Sequence, residues 1–310
     1  MNERIRASAR AQPREAWLAT PERGSGSLLR AMTILSLRLG RRASRVVLYL
    51  IVVYFYLAAP AAARESRRYL RKALKRSPTV GDRFAHLLSF ATVIHDRVYL
   101  LNDRFSLFSI DVKGEELLQR ALHSGTGCFL MGAHLGSFEL TRAYGQQHPG
   151  VTVAMAMYAE NARKIGTTLA AINPQATLPV IRLGSLDAML QIQARLDEGA
   201  FVGVLGDRTL GDEAVFLVNF LGTPAPFPIG PWRAAALLRR PVLFIAGIYC
   251  GANRYRIVVD EVADFTAVLR QDRESAIRAA ITRYAALLEN RCCENPYNWF
   301  NFFDFWHEAA

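Results

Sequence analysis

The chain has 310 residues, 51% of them apolar, and a formal net charge of +11. That is enough apolar side chain for the core of one large α/β domain or two smaller ones, which excludes a disordered chain. The charge is uneven: residues 1–76 hold 17 Lys and Arg against 4 Asp and Glu, whereas residues 77–310 hold 21 against 23. A nucleic-acid coat needs positive charge across its folded surface, so a net +13 head on a net −2 body points instead to a basic anchor on a neutral domain.

Residues 1–27, with Pro13, Pro21 and the Gly24-Ser25-Gly26-Ser27 run, read as a mobile basic tail. Residues 28–76 read as a basic, hydrophobic membrane-anchoring segment built around an uncharged run of 18 residues, 46–63. As a helix that run reaches about 27 Å, just short of a hydrocarbon core of about 30 Å. Pro60 sits in its last turn, Arg38, Arg41, Arg42 and Arg45 precede it, and Arg64, Arg67, Arg68, Arg71 and Lys72 follow. With both flanks basic there is no orientation signal, and a helix lying in an anionic leaflet fits as well as a span. A buried core helix followed by a solvated basic helix is the alternative. A cleaved signal peptide would place its apolar run nearer the start.

Residues 77–310 show alternating elements. An apolar spacing near 3.6 predicts a helix over 83–101, and 117–122 reads as the end of another. Short apolar runs at 128–131, 151–157, 177–181, 201–205, 242–249 and 255–259 predict strands. Helical patterns at 139–146, 162–172, 186–196 and 232–238 lie among them. The expected fold is α/β: a mostly parallel central sheet flanked by helices, preceded by an N-terminal hydrophobic membrane-anchor helix. Cys128, Cys250, Cys292 and Cys293 have no C-x-x-C spacing and suggest neither a zinc ribbon nor a disulfide framework. They read as structural thiols in a reducing compartment.

The predicted strand 128–131 runs into Gly132-Ala133-His134-Leu135-Gly136-Ser137-Phe138-Glu139, and the carboxyl ends of strands are where such sheets bind ligands. His134 and Glu139 are too far round a continuous helix to meet. They can pair only with His134 in the turn and Glu139 in the first helical turn. A carboxylate on one imidazole N–H would then leave the other nitrogen free as a general base. Chance supplies such a pair in about every second chain of this composition, so a structural histidine is the competing reading. Asp207 and Arg208 follow the predicted strand 201–205 and face the same cleft, or form an ion pair inside a polar loop. The proline-punctuated segment 216–228 lines an acyl-chain groove or packs as an irregular wall. There is no G-x-S-x-G elbow, no dinucleotide fingerprint, no phosphate-binding loop and no metal-ligand spacing, so no metal or cofactor is expected. Base catalysis beside a membrane remains.

His134-Leu135-Gly136-Ser137-Phe138-Glu139 resembles the H-x-x-x-x-[DE] motif of the bacterial lipid A biosynthesis acyltransferases (lauroyl and myristoyl transferases), within the lysophospholipid acyltransferase superfamily. The segment from Gly203 through Asp207 and Arg208 to Gly211, then 215–222, is similar to the family's Asp, Gly and aromatic-rich stretch, and Asn161, followed by Arg163 and Lys164, falls where the family commonly has Asn. The likeness spans roughly 115–306. It departs at the C-terminal aromatic tail, where Asp304 and Phe305 stand in place of basic residues. The anchor, with Leu39-Gly40-Arg41-Arg42 and Ser66-Arg67-Arg68-Tyr69-Leu70, looks more like the branch associated with aryl-polyene clusters.

The resemblance implies O-acyl transfer from an acyl carrier protein or coenzyme A thioester to a hydroxyl of a lipid or glycolipid acceptor. It makes His134 the base and Glu139 the group that orients it. Backbone N–H groups near Leu135 and Gly136 would stabilise the oxyanion, with Arg208 or Arg163 as charged alternatives. Asp207 would hold an Arg or the acceptor. Asn161 joins the substrate-binding candidates, and Arg163 and Lys164 would bind the pantetheine phosphate or form a solvated pair. The implied location is the anionic leaflet of a bacterial inner membrane, with the catalytic domain at 77–310 on the cytoplasmic side and no nucleic acid among its partners. The competing class is a non-enzymatic, membrane-attached scaffold or lipid-binding protein with His134 and Glu139 as a satisfied interior pair.

Overall fold

The computed structural model of the chain describes residues 26–147, 150–175, 179–185, 187–209 and 213–306, so most of the expected tail at 1–27 lies outside the described residues. The first helix, α1 (Gly26–Ala58), is 33 residues long and broken at Gly40, whose φ of 76° suits glycine. Pro60 then opens α2 (Pro60–Leu74), a position where its missing N–H costs nothing. The two helices meet at 96°. The run 46–63 is therefore not one helix, and among the described residues no single helix is long and apolar enough to cross a membrane, although the bent pair passes by length and composition.

The polarity of α1 is inverted. Its inner face buries Thr33, Ser36, Arg41 and Ser44 beside Leu48 and Val52, while Leu39, Val46, Leu50, Val53 and Leu57 point outward. Leu50 and Leu57 are 71% and 75% exposed. On α2 the exposed positions beyond Pro60 and Ala61 are basic, Arg64, Arg67 and Arg71, whereas Tyr69 and Leu70 are fully buried in the main core.

The inner face of α1 docks on α3 (Val80–Leu100), which begins at a capping box between Thr79 and Asp82. Arg41 holds Asp96 of α3 through two bonds of 2.7 Å each. The Tyr255 hydroxyl donates to the same carboxylate at 2.7 Å, and Arg41 also donates to the Ala252 carbonyl at 2.6 Å. Asp96 is completely buried. Burial opposes its charge, but His95, Arg41 and Tyr255 outweigh it and hold the carboxyl below its usual range.

The rest is one α/β layer structure. Its elements are β1 (Ser109–Lys113), α4 (Glu115–Ser124), β2 (Cys128–Gly132), α5 (Glu139–Gln147), β3 (Val153–Tyr158), α6 (Ala159–Ile172), β4 (Val180–Leu183), α7 (Ala188–Asp197) and β5 (Phe201–Leu205). There follow β6 (Val215–Phe220), β7 (Thr223–Pro228), α8 (Gly230–Leu237), β8 (Pro241–Tyr249), β9 (Arg254–Asp264) and α9 (Arg273–Glu294). Seven strands form one sheet in the order β1-β9-β8-β2-β5-β3-β4. All its pairs are parallel except β8 with β9, as the buried apolar runs require.

The chain moves outward from β2 to β3 and β4 through α5 and α6, then returns through α7 to place β5 between β2 and β3. Reversing direction with right-handed crossovers puts the returning helix on the other face. Accordingly Leu140, Tyr144 and Ile172 of α5 and α6 pack on one face, and Ile192 and Leu196 of α7 on the opposite one. A crevice opens where the two helix layers part.

The segment 216–228 is more regular than expected. It forms a two-stranded ribbon, β6 with β7, turning at Leu221 and Gly222, both at positive φ as a tight hairpin needs. Pro224, Pro226 and Pro228 occupy alternate positions of β7, so their missing N–H groups all fall on the ribbon's open edge. The α9 helix, with Tyr284 and Leu288 fully buried, closes one face of the sheet.

Asp96→Ala should lower stability by about 3–5 kcal/mol, because it leaves Arg41 buried without its counter-ion. Adding Arg41→Met should recover most of that loss. Denaturant titration followed by circular dichroism measures both.

Candidate active site

The parallel register of β2 and β5 builds the site. Cys128 lies opposite Phe201 and Gly132 opposite Leu205. Continued two residues past the strand ends, that register sets His134 against Asp207. There the imidazole Nδ1 meets Asp207 Oδ1 at 2.9 Å, and the His134 backbone N–H donates to Oδ2 at 2.9 Å. A third donor comes from the C-terminal segment, the Trp299 indole Nε1–H, 3.0 Å from Oδ2.

Burial opposes ionisation of Asp207, but the His134 ring, Arg208 and the Trp299 N–H outweigh it and bring the carboxyl down to about 2. An ionised carboxylate only accepts, so Nδ1 carries the proton and Nε2 keeps a lone pair. Burial and the positive charge of Arg208 lower the His134 pKa, more than Asp207 raises it, which keeps the ring neutral at neutral pH. The imidazole is 30% exposed, and His134 lines a cavity of about 880 Å³.

The cavity spans the crevice between the two helix layers. Val93, Leu101 and Leu169 line it from one layer, and Ala188, Ile192 and Ala234 from the other. It is large enough for a long apolar ligand. Polar side chains in its lining include Arg97, Glu139, Asn161 and Arg208, of which Arg208 acts electrostatically on His134. Arg208 donates to the Phe300 carbonyl at 3.1 Å and lies over the Phe303 ring at 4.8 Å, while its Nε meets no hydrogen-bond partner among the described residues. Burial lowers its pKa, partly offset by Asp207.

Other candidates fall differently from expectation. Glu139 opens α5, but its carboxylate pairs with Arg97 at 2.6 Å and accepts from the Ser137 hydroxyl at 3.2 Å. The imidazole N–H that Glu139 was expected to accept goes to Asp207, because the strand register fixes the Asp207 side while the turn 133–138 carries Glu139 toward α3. The Gly136 N–H is not free for an oxyanion: it donates to the Asn298 carbonyl at 2.8 Å, and Ser137 N–H to Gly247 at 2.7 Å. Gly136 serves packing instead, since at its φ of 70° a Cβ would sit 2.0 Å from the Gly247 carbonyl oxygen. Asn161 lines the cavity. Arg163 is exposed on α6 and is not among the described lining residues, and the side chain of Lys164 lies outside the described residues.

Three participants carried no sequence signal. Arg97 and His86 sit within an ordinary amphipathic helix pattern, and Trp299 lies in an aromatic tail with no motif spacing. His86 is fully buried. Its Nε2 donates to the Trp299 carbonyl at 2.9 Å, which leaves Nδ1 to accept from the Ser66 hydroxyl at 2.9 Å. Burial pushes its pKa down to about 4 against the one opposing bond to Trp299.

A doubly wound sheet with a neutral, carboxylate-held histidine in the wall of a largely apolar cavity is an arrangement that can accept a proton beside an apolar ligand. The sequence model of the family described as bacterial lipid A biosynthesis acyltransferase matches residues 87–308, and the chain belongs to that family. It is thus an acyltransferase, of a family that acylates lipid acceptors. Comparison with curated protein sequences returned no match.

Between pH 6.5 and about 4 the unfolded chain protonates the His86 imidazole and the folded chain excludes that proton, so stability falls as the pH drops through this window. The contribution is about 3 kcal/mol across the window. His86→Gln should flatten the pH dependence of the unfolding free energy by that amount, measured by denaturant titration at stepped pH.

Proposed function

We propose that the chain transfers a fatty or related acyl group from a thioester of acyl carrier protein or coenzyme A to a hydroxyl of a lipid or glycolipid, with His134 as general base. The observation that carries this reading is the Asp207–His134 pair, which occupies Nδ1 and leaves Nε2 as the basic nitrogen of a ring that lines the cavity. The acceptor O–H gives its proton to Nε2 as its oxygen attacks the thioester carbonyl. The C–O bond forms, the C–S bond breaks, and the departing sulfur takes the proton back from the imidazolium. Asp207 fixes the tautomer and stabilises the transient cation, a role distinct from the one first assigned to it. Arg208, charged and beside His134, is the candidate for stabilising the oxyanion.

The outward leucines of α1 and the basic outer face of α2 support a seat in an anionic leaflet, with α1 immersed and α2 at the headgroups. In this reading the protein is held at the cytoplasmic face of a bacterial inner membrane. Phe90 and Ile94, each 36% exposed on α3, also line the cavity, which favours entry of acyl chains from that side.

The test uses the full chain in vesicles with dodecanoyl thioesters of coenzyme A and of acyl carrier protein and a bacterial lipid extract, scoring thiol release and acylated lipid by mass spectrometry. His134→Ala should abolish transfer, and Asp207→Asn should cost about 10²–10⁴ in rate. Near-normal turnover by folded His134→Ala would sink the assignment. For the membrane seat, Leu50→Glu with Leu57→Glu should abolish flotation with anionic vesicles while leaving the fold intact. Deleting residues 1–76 is the poorer test, because it also removes Arg41, Tyr69 and Leu70 from the interior.

A further inference from the structure

The C-terminal segment reaches the catalytic histidine by an irregular route. Residues 298–300 bridge to 134–136: Gly136 N–H donates to Asn298 at 2.8 Å and Phe300 N–H to His134 at 2.8 Å. The Trp299 carbonyl is not used in that bridge. It accepts from the Asn301 N–H at 2.9 Å and from His86 Nε2 at 2.9 Å, the one side-chain grip on this peptide from another element among the described residues. His86 is itself held by Ser66 of α2, and its ring lies against those of Tyr69, Phe300 and Phe302. On the other side of the same residue, the indole N–H of Trp299 ends on Asp207.

We propose that His86 is a positioning residue for acyl transfer: by holding the Trp299 carbonyl it keeps the indole N–H on Asp207 Oδ2, and through Asp207 it fixes the His134 ring. The inference rests on the reading of His134 as base. A buried carboxylate with fewer donors is a stronger proton acceptor, so losing the indole N–H raises the basicity of His134 and loosens its orientation. The other titratable groups facing this pair are Arg208, the Tyr284 hydroxyl, which donates to the Gly132 carbonyl at 2.7 Å, and the Cys292 thiol. Tyr284 and Cys292 belong to α9, and among the described contacts neither touches His86 directly, Cys292 meeting it only through Tyr69.

The experiment measures kcat, KM and the acid limb of kcat/KM with the dodecanoyl thioester for His86→Phe, His86→Gln, Trp299→Phe and the double variant, in the vesicle-bound full chain. His86→Phe keeps the ring stack and removes both bonds. It should lower kcat about tenfold with KM within twofold and move the acid limb up by about half a pH unit. Trp299→Phe should shift the limb the same way, and the double variant should match Trp299→Phe alone, the non-additivity expected of one chain of contacts. His86→Gln, whose amide can donate to the Trp299 carbonyl, should recover most of the loss. An unshifted limb in His86→Phe, additive effects in the double variant, or no recovery in His86→Gln would overturn the proposal. Should His86→Phe fail to fold by near-ultraviolet circular dichroism, Ser66→Ala replaces it, with a smaller limb shift that must vanish in the Trp299→Phe background. Turnover by His134→Ala would instead overturn the reading on which the proposal rests.

Discussion

Asp207 is a carboxylate with 1% of its side chain exposed, and the site depends on its staying ionised there. An uncompensated charge in such a place is too costly to persist, so the carboxylate needs several donors. The donors come from two regions far apart in sequence: the backbone and ring of His134 after β2, and the indole of Trp299 near the C-terminus. The fold must therefore return its last residues to the strand ends. It does so through α9, which covers one face of the sheet, and through an aromatic cluster that packs Trp299 against Phe220, Phe305 and Tyr69. Trp299, Phe305 and Trp306 are thus interior structure, while Asp304, at a position where a basic residue was expected, is 38% exposed and faces Arg68 at 3.5 Å.

The same constraint explains what could be read in the sequence. Buried strands announce themselves by uninterrupted apolar runs, and β2, β5 and β8 appear close to where those runs lie. The turn after β2 was legible because Gly and His follow a strand. The partner of His134 was harder to see: a pair five residues apart in sequence, His134 and Glu139, is visible by eye, whereas His134 and Asp207 are joined by a strand register that exists only once β4 and α7 have returned the chain to the slot beside β2. Asp207 and Arg208 are legible at the cleft, Arg208 as an oxyanion candidate and Asp207 as a holder of an Arg or the acceptor, but not Asp207 as the partner of His134. Trp299 and His86 could not be found at all, since a donor to a buried carboxylate and a grip on one carbonyl need no motif. The β6–β7 ribbon was hidden for a different reason. Its prolines suggest irregular chain, and only the two-residue alternation shows that they fit an edge.

The N-terminal quarter was legible in composition and not in geometry. Its charge excess and apolar run are real features, but the run breaks at Ala59 and Pro60. Hydropathy counts residues without regard to face. The decisive property of α1 is that polar side chains turn inward, Arg41 to Asp96 and Ser44 to His95 and Tyr99, while leucines and valines turn outward. In water that arrangement is the reverse of what a surface helix needs. In the proposed membrane seat acyl chains cover the outer face, and the basic face of α2, at 96° to α1, supplies the charge expected beside anionic headgroups.

These two halves of the molecule are mechanically continuous. The Arg41–Asp96 pair fixes α1 to α3, and Ser66 of α2 meets His86 of the same helix. The one helix that carries Asp96 and His86 also carries Arg97, Phe90 and Ile94 at the cavity. A displacement of α1 and α2 from their seat on α3 would therefore reach the cavity wall, the Glu139–Arg97 ion pair and the Trp299 donor together. The family acylates lipids, and in the proposed membrane seat α3 is the element through which the lipid surface and His134 share one support.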